Sequence, residues 1–107
     1  MPSIQFEINN GVAWITLNRP DKFNAFNREM ALLFQQILDD CATNISIRCI
    51  YITGAGKAFC AGQDIGELTG DNAIEMARIL AEDYNPIVKK IREINVPVVC
   101  EIGRAHV

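Results

Sequence analysis

The chain has 107 residues, half of them hydrophobic, and 10 basic against 13 acidic side chains give a net charge of −3 at pH 7. This is globular composition sized for one small domain. It offers no basic face for nucleic acid and no apolar run near the roughly 18 residues of a membrane span. The start, Met1-Pro2-Ser3-Ile4-Gln5, lacks the charged and apolar regions of a secretory signal, so a cytoplasmic protein is expected.

In chain order, Ile4, Phe6 and Ile8 alternate with polar residues and predict a half-buried strand. Asn9-Asn10-Gly11 is a hairpin turn signal, with Val12 to Leu17 as the returning strand. A loop at Asn18 to Lys22 precedes Asn27, an N-cap for a helix over about 28–42. Met30, Leu33, Phe34, Ile37, Leu38 and Cys41 fall on one face of that helix and read as core. A buried, β-branched strand follows over about 48–53. After Thr69-Gly70-Asp71-Asn72, a helical pattern runs over about 73–94, its stripe carried by Met76, Leu80, Tyr84, Ile87, Ile91 and Ile94. Pro86 predicts a kink or two abutting helices near Tyr84-Asn85-Pro86. Val96 to Cys100 begins another buried strand. The order predicts an α/β layer structure built from right-handed ββα-type units.

The four cysteines, Cys41, Cys49, Cys60 and Cys100, contain no Cys-x-x-Cys pair and lie far in sequence from the single histidine, His106. No metal site is expected. Cys41 and Cys49 read as small core residues. With no histidine base nearby, Cys60 reads as packing rather than as a nucleophile.

The segment Ile52 to Ile65, ITGAGKAFCAGQDI, takes the 48–53 strand into a loop with Gly54, Gly56 and Gly62. The loop leaves through Asp64, a good N-cap, toward a short helix. Such a loop presents several backbone N–H groups at one exposed point, suited to an anion or to a carbonyl oxygen that becomes an oxyanion. It is not a P-loop: Tyr51 stands where a glycine is needed, and Ala58 where a hydroxyl residue should follow Lys57. Nor is it a dinucleotide fingerprint, since Phe59 occupies the place of the third glycine.

The loop resembles the crotonase (enoyl-CoA hydratase/isomerase) family, whose pattern Gly-x-Gly-x-x-Phe-(Cys/Ser)-Ala-Gly-x-Asp is met by Gly54, Gly56, Phe59, Cys60, Ala61, Gly62 and Asp64. The family's Leu-Asn-Arg-Pro and Asn-Ala pair appears as Leu17 to Pro20 and Asn24-Ala25. The resemblance covers about residues 4–100 and implies the N-terminal portion of a crotonase-fold (ClpP/crotonase-like) spiral, residues 1–100. It implies an acyl-CoA thioester as partner, with coenzyme A entering as part of the substrate and no separate cofactor. It implies the N–H of Ala61 as one oxyanion donor, with small residues needed at Ala61 and Gly62 so that the thioester can approach. The loops Lys22–Ala25 and Lys57–Ile65 would grip CoA. Backbone around Phe23 and Ala25 would border the pantetheine, Ala61, Gly62, Gln63, Asp64 and Ile65 would meet thioester and adenine, and Lys22 and Lys57 would be either phosphate contacts or solvated lysines. Asp64 reads as a helix cap that fixes the loop rather than as a base.

The second oxyanion donor and the family's carboxylates have no counterpart among these motifs. Family members act as trimers or pairs of trimers. Ala25 to Met30, Phe59 to Ile65 and Tyr84 to Ile91 look most like the ring-epoxide isomerases of phenylacetyl-CoA degradation, with Gln63 as the distinguishing loop residue. An enoyl-CoA hydratase, a fatty-acyl-CoA double-bond isomerase and a catalytically inactive interaction module of the same fold are the alternatives.

Past Cys100 the family pattern ends. Glu101 to Val107 also matches the translation of a common sequencing adapter, so residues 101–107 are expected to be a non-native or divergent tail, with His106 no catalytic candidate. Glu101 would there be an unpaired carboxylate in a buried strand.

Overall fold

The computed structural model describes residues 2–64 and 72–102, with backbone only for 72–74. Strands β1 (Ile4–Asn9) and β2 (Val12–Leu17) form the expected hairpin, antiparallel with Ile4 opposite Leu17 and Asn9 opposite Val12. Asn10 and Gly11 both take positive φ, 53° and 81°, as a primed hairpin turn requires. Pro20–Lys22 is a single 3₁₀ turn. Helix α1 (Arg28–Thr43) begins where its cap predicts, the Asn27 side chain accepting from the Met30 N–H at 2.9 Å.

Strand β3 (Cys49–Gly54) returns parallel to β2, and β4 (Val98–Cys100) lies parallel to β3. The four-stranded sheet therefore has the order β1-β2-β3-β4. Both parallel pairs need a helical crossover, supplied by α1 and by the helices after the glycine loop.

One face of the sheet and one face of α1 make the core. Ala13, Ile15, Leu17, Ile50 and Ile52 meet Met30, Ala31, Phe34, Ile37, Leu38 and Cys41, all buried. Phe6 and Ile8 lie on this same side but remain exposed, so β1 is closed over only at Ile4. The opposite face carries Trp14 and Tyr51, ring centroids 5.0 Å apart, and the exposed Val99.

Two expectations about burial in the sheet are corrected. Cys49 is only half-buried, because its side chain alternates onto the outer side, and the β4 strand expected to be buried has Val99 and Cys100 exposed. Glu101 is likewise no orphan. Its N–H continues the ladder to the Ile52 carbonyl at 2.8 Å, and its carboxylate accepts the Tyr51 hydroxyl on the open face. That hydrogen bond raises the Tyr51 pKa, since the carboxylate favours a hydroxyl that keeps its proton.

The second helical region departs from its sequence pattern. It consists of α2 (Asn72–Ile79), a π-helical turn (Leu80–Tyr84) and α3 (Asn85–Glu93). The cause lies at Pro86, which has no N–H for the carbonyl four residues back, and whose ring would strike it. Widening the turn moves the strain aside, with the Asn85 N–H reaching the Leu80 carbonyl. The Glu82 and Asp83 carbonyls accept instead from Gln35 Nε2 on α1, at 2.8 and 3.1 Å. The extra residue also shifts the buried stripe. Ile79 and Asp83 turn inward while Met76 and Leu80, expected in the core, are exposed. Arg28 meets the buried Asp83 carboxylate at 2.9 Å.

Candidate functional site

Strand β3 ends at Gly54 and releases the loop of residues 55–64 beside the 3₁₀ turn. A β-carbon at Gly54 would lie 2.5 Å from the Ala58 carbonyl oxygen and 2.6 Å from that of Phe59, so only glycine lets the loop fold back this closely. The contact at its centre is Asn24, fully buried and held at φ 59°. Its Oδ1 accepts from the Arg19 N–H at 2.7 Å, and its Nδ2 donates to the Ala55 and Ala58 carbonyls at 2.9 and 2.7 Å. One carboxamide thus ties both loops together. Asparagine suits the place because its short polar side chain tolerates the left-handed backbone.

A second tie lies further along. Arg19 bonds the Ala25 carbonyl through one guanidinium nitrogen and pairs with Asp64 through another at 3.0 Å, both side chains mostly shielded from solvent. Between these ties the loops pair as a short parallel ladder. The Phe26 N–H donates to the Gly62 carbonyl and the Asp64 N–H to the Phe26 carbonyl, both at 2.7 Å, around a Phe26–Gln63 bridge.

This ladder bears directly on the oxyanion donor. The N–H of Ala61 donates to the Phe23 carbonyl at 3.0 Å, so it is turned into the neighbouring loop. In a parallel bridge the residue facing Phe26 directs its own N–H and C=O to the other edge. That residue is Gln63. Its side-chain oxygen accepts the Tyr84 hydroxyl at 2.6 Å. Gly62 also has a backbone reason to be glycine. Its φ of 105° lies in the left-handed region that favours glycine, and a β-carbon there would meet no protein atom within 4 Å.

The other expected residues divide. Lys57 lines a small cleft of about 160 Å³ with Thr53, Gly56, Phe59 and Glu101, at the ends of β3 and β4. Lys22 and Phe23 are exposed on the 3₁₀ turn, whereas Ala25 is buried with its carbonyl engaged by Arg19. Asp64 fixes the loop through Arg19; the helix it was expected to cap, and Ile65, lie outside the described residues. Cys60 is a packing residue. Burial pushes its thiol pKa up, the Gly62 N–H to its sulfur at 3.3 Å offsetting this in part, so a ready thiolate is disfavoured. Arg19 and Asn24 were visible only as motif letters. The one local hint was an asparagine just after a proline-led turn, a common left-handed position.

Comparison with known proteins bears on the family and the fold. The family model for enoyl-CoA hydratase/isomerase matches residues 7–105. Over 106 residues the chain is 35% identical to the 1,2-epoxyphenylacetyl-CoA isomerase of Escherichia coli, covering 96% of this chain and 40% of that protein. Among solved structures, an enoyl-CoA hydratase of Mycobacterium smegmatis superposes with TM-score 0.87 at 28% identity, over 95% of this chain and 40% of its own. An enoyl-CoA hydratase/isomerase of Mycobacterium paratuberculosis gives TM-score 0.79 at 32% identity, over 95% and 42%. The chain spans about 40% of the length of these relatives. The architecture is accordingly that of the N-terminal part of the crotonase fold.

Proposed function

The chain belongs to the enoyl-CoA hydratase/isomerase family, and from that premise we propose that it is the acyl-CoA-gripping part of an enzyme that isomerises a ring epoxide of phenylacetyl-CoA. The observation that carries the reading is the pinned loop pair, with Asn24 and Arg19–Asp64 holding residues 55–64 rigidly against residues 19–26. A thioester oxygen gaining negative charge needs amide donors fixed in advance, and losing one such donor lowers turnover by about a hundredfold or more.

The Gln63 N–H takes this role in place of Ala61, because the ladder directs it away from the Phe26 segment while Ala61 serves the Phe23 carbonyl. Lys57 in the cleft, and Lys22 on the facing turn, supply cations for the CoA phosphates. A second donor and the acid–base carboxylates come from elsewhere in the full enzyme, which works as a trimer or hexamer in the cytoplasm. The likeness to the E. coli isomerase favours the aromatic epoxide over a linear enoyl chain. Hydration or double-bond isomerisation of a fatty acyl-CoA is the second reading, favoured by the superposition on the M. smegmatis hydratase.

The test is turnover by a full-length protein containing this chain, offered the ring epoxide of phenylacetyl-CoA and crotonyl-CoA. Preference for the epoxide is expected, and faster hydration of crotonyl-CoA would move the assignment to the second reading. In the same assay Gln63→Pro, which removes the donor, should lose about a hundredfold in kcat, while Gln63→Ala, which keeps the N–H and removes only the side chain, should lose about tenfold or less. If Ala61→Pro abolishes turnover in a folded protein and Gln63→Pro does not, the donor is Ala61 after all.

A further inference from the structure

Gln63 is gripped on two sides. Its backbone neighbours are bonded to Phe26, and its side-chain oxygen accepts from Tyr84, the last residue of the π turn. The two grips meet in one aromatic group, for the Phe26 ring lies 5.9 Å from Phe34 in the α1 core and 6.1 Å from the Tyr84 ring. The Tyr84 ring thus packs on the residue whose backbone pairs with the loop, and its hydroxyl reaches past that packing to Gln63. Phenylalanine would fill the same volume, so packing leaves the hydroxyl unexplained.

The position of Tyr84 depends on the helix break. The wide turn that Pro86 imposes turns Ile79 and Asp83 inward, Asp83 onto Arg28 of α1, while Tyr84, next to Asp83, points to the loop. We infer that Tyr84 is a positioning residue: its hydroxyl latches Gln63 and so fixes the amide that receives the thioester charge, making the π turn part of the site. The inference rests on the reading of Gln63 as donor given above. It extends that reading to the helical turn whose last residue touches the loop.

The latch is tested with Tyr84→Phe in a full-length protein containing this chain, by hydrogen–deuterium exchange of the 59–64 segment and by steady-state kinetics. Losing the hydrogen bond should speed exchange in the segment roughly three- to tenfold while exchange in α1 stays unchanged. The kcat should fall by a similar factor with KM for the CoA thioester unchanged, because the loss falls on charge stabilisation and leaves CoA binding intact. In a Gln63→Leu background, which lacks the acceptor, Tyr84→Phe should add nothing further to either readout.

Unchanged exchange in Tyr84→Phe overturns the latch. Faster exchange with kcat and KM both unchanged overturns its positioning role, as do additive effects in the double variant. If the unaltered protein turns over neither acyl-CoA, the proposed function fails, and exchange in the single and double variants decides the latch by itself.

Discussion

Inside the protein the Asn24 carboxamide is bonded at both ends, to one N–H and two carbonyls drawn from residues 19, 55 and 58. Asn24→Ala removes all three bonds, buries the groups left behind, and puts a less tolerant residue at φ 59°. A loss of about 2–4 kcal/mol is expected in chemical denaturation of the full-length protein. Asn24→Asp keeps the shape but turns a carboxylate oxygen toward the Ala55 and Ala58 carbonyls, which favour the protonated acid. The folded-state pKa is then raised above the unfolded value, so below about pH 4 the acid loses only the one hydrogen bond its single O–H cannot make, and its deficit grows as pH rises above that. Denaturation midpoints of Asn24→Asp and the parent protein that stay in constant ratio between acid and neutral pH would contradict this account. At this scale the sequence held the residue types but not their partners. Asn24 meets Ala55 and Ala58 more than 30 positions away, and the donation from Ala61 to Phe23 is just as non-local. Neither leaves a periodic trace.

At the scale of elements, legibility follows how local each signal is. The α1 helix begins at Arg28 as its cap and apolar stripe imply, and Asn27→Ala should lower stability by about 1 kcal/mol, measurable as a shift in the denaturation midpoint. The hairpin and β3 were equally plain, being written in alternation and turn residues. The π turn was not. A stripe of four, four, three, four and three reads as one continuous face, and Pro86 announced a break without its form. What decided the form was Gln35, which takes up the carbonyls stranded by the proline, and Arg28, which makes a buried Asp83 tolerable. Both lie on another helix. The strand at Val98–Cys100 shows the opposite failure. An apolar run signals burial in the finished molecule, whereas here two of its three residues are exposed.

For the molecule as a whole, the exposed side of the sheet has a practical consequence. Trp14, Tyr51 and Val99 form an apolar area on one face, and β4 offers strand edge at its border. Surfaces of this kind promote association, so the 107-residue chain prepared alone should sediment faster as its concentration rises, and Trp14→Lys should weaken that dependence. A sedimentation coefficient independent of concentration would count against it. The order of the sheet carries a different implication, for biosynthesis. Since β1, β2, β3 and β4 are neighbours in the same order in space as in the chain, each strand emerging from a ribosome finds its partner already made. The sheet can therefore grow by addition at one edge, without parting an earlier pair to admit a later strand. The loop that Gly54 releases is then laid against the 19–26 turn as soon as β3 docks, before either later helix has emerged.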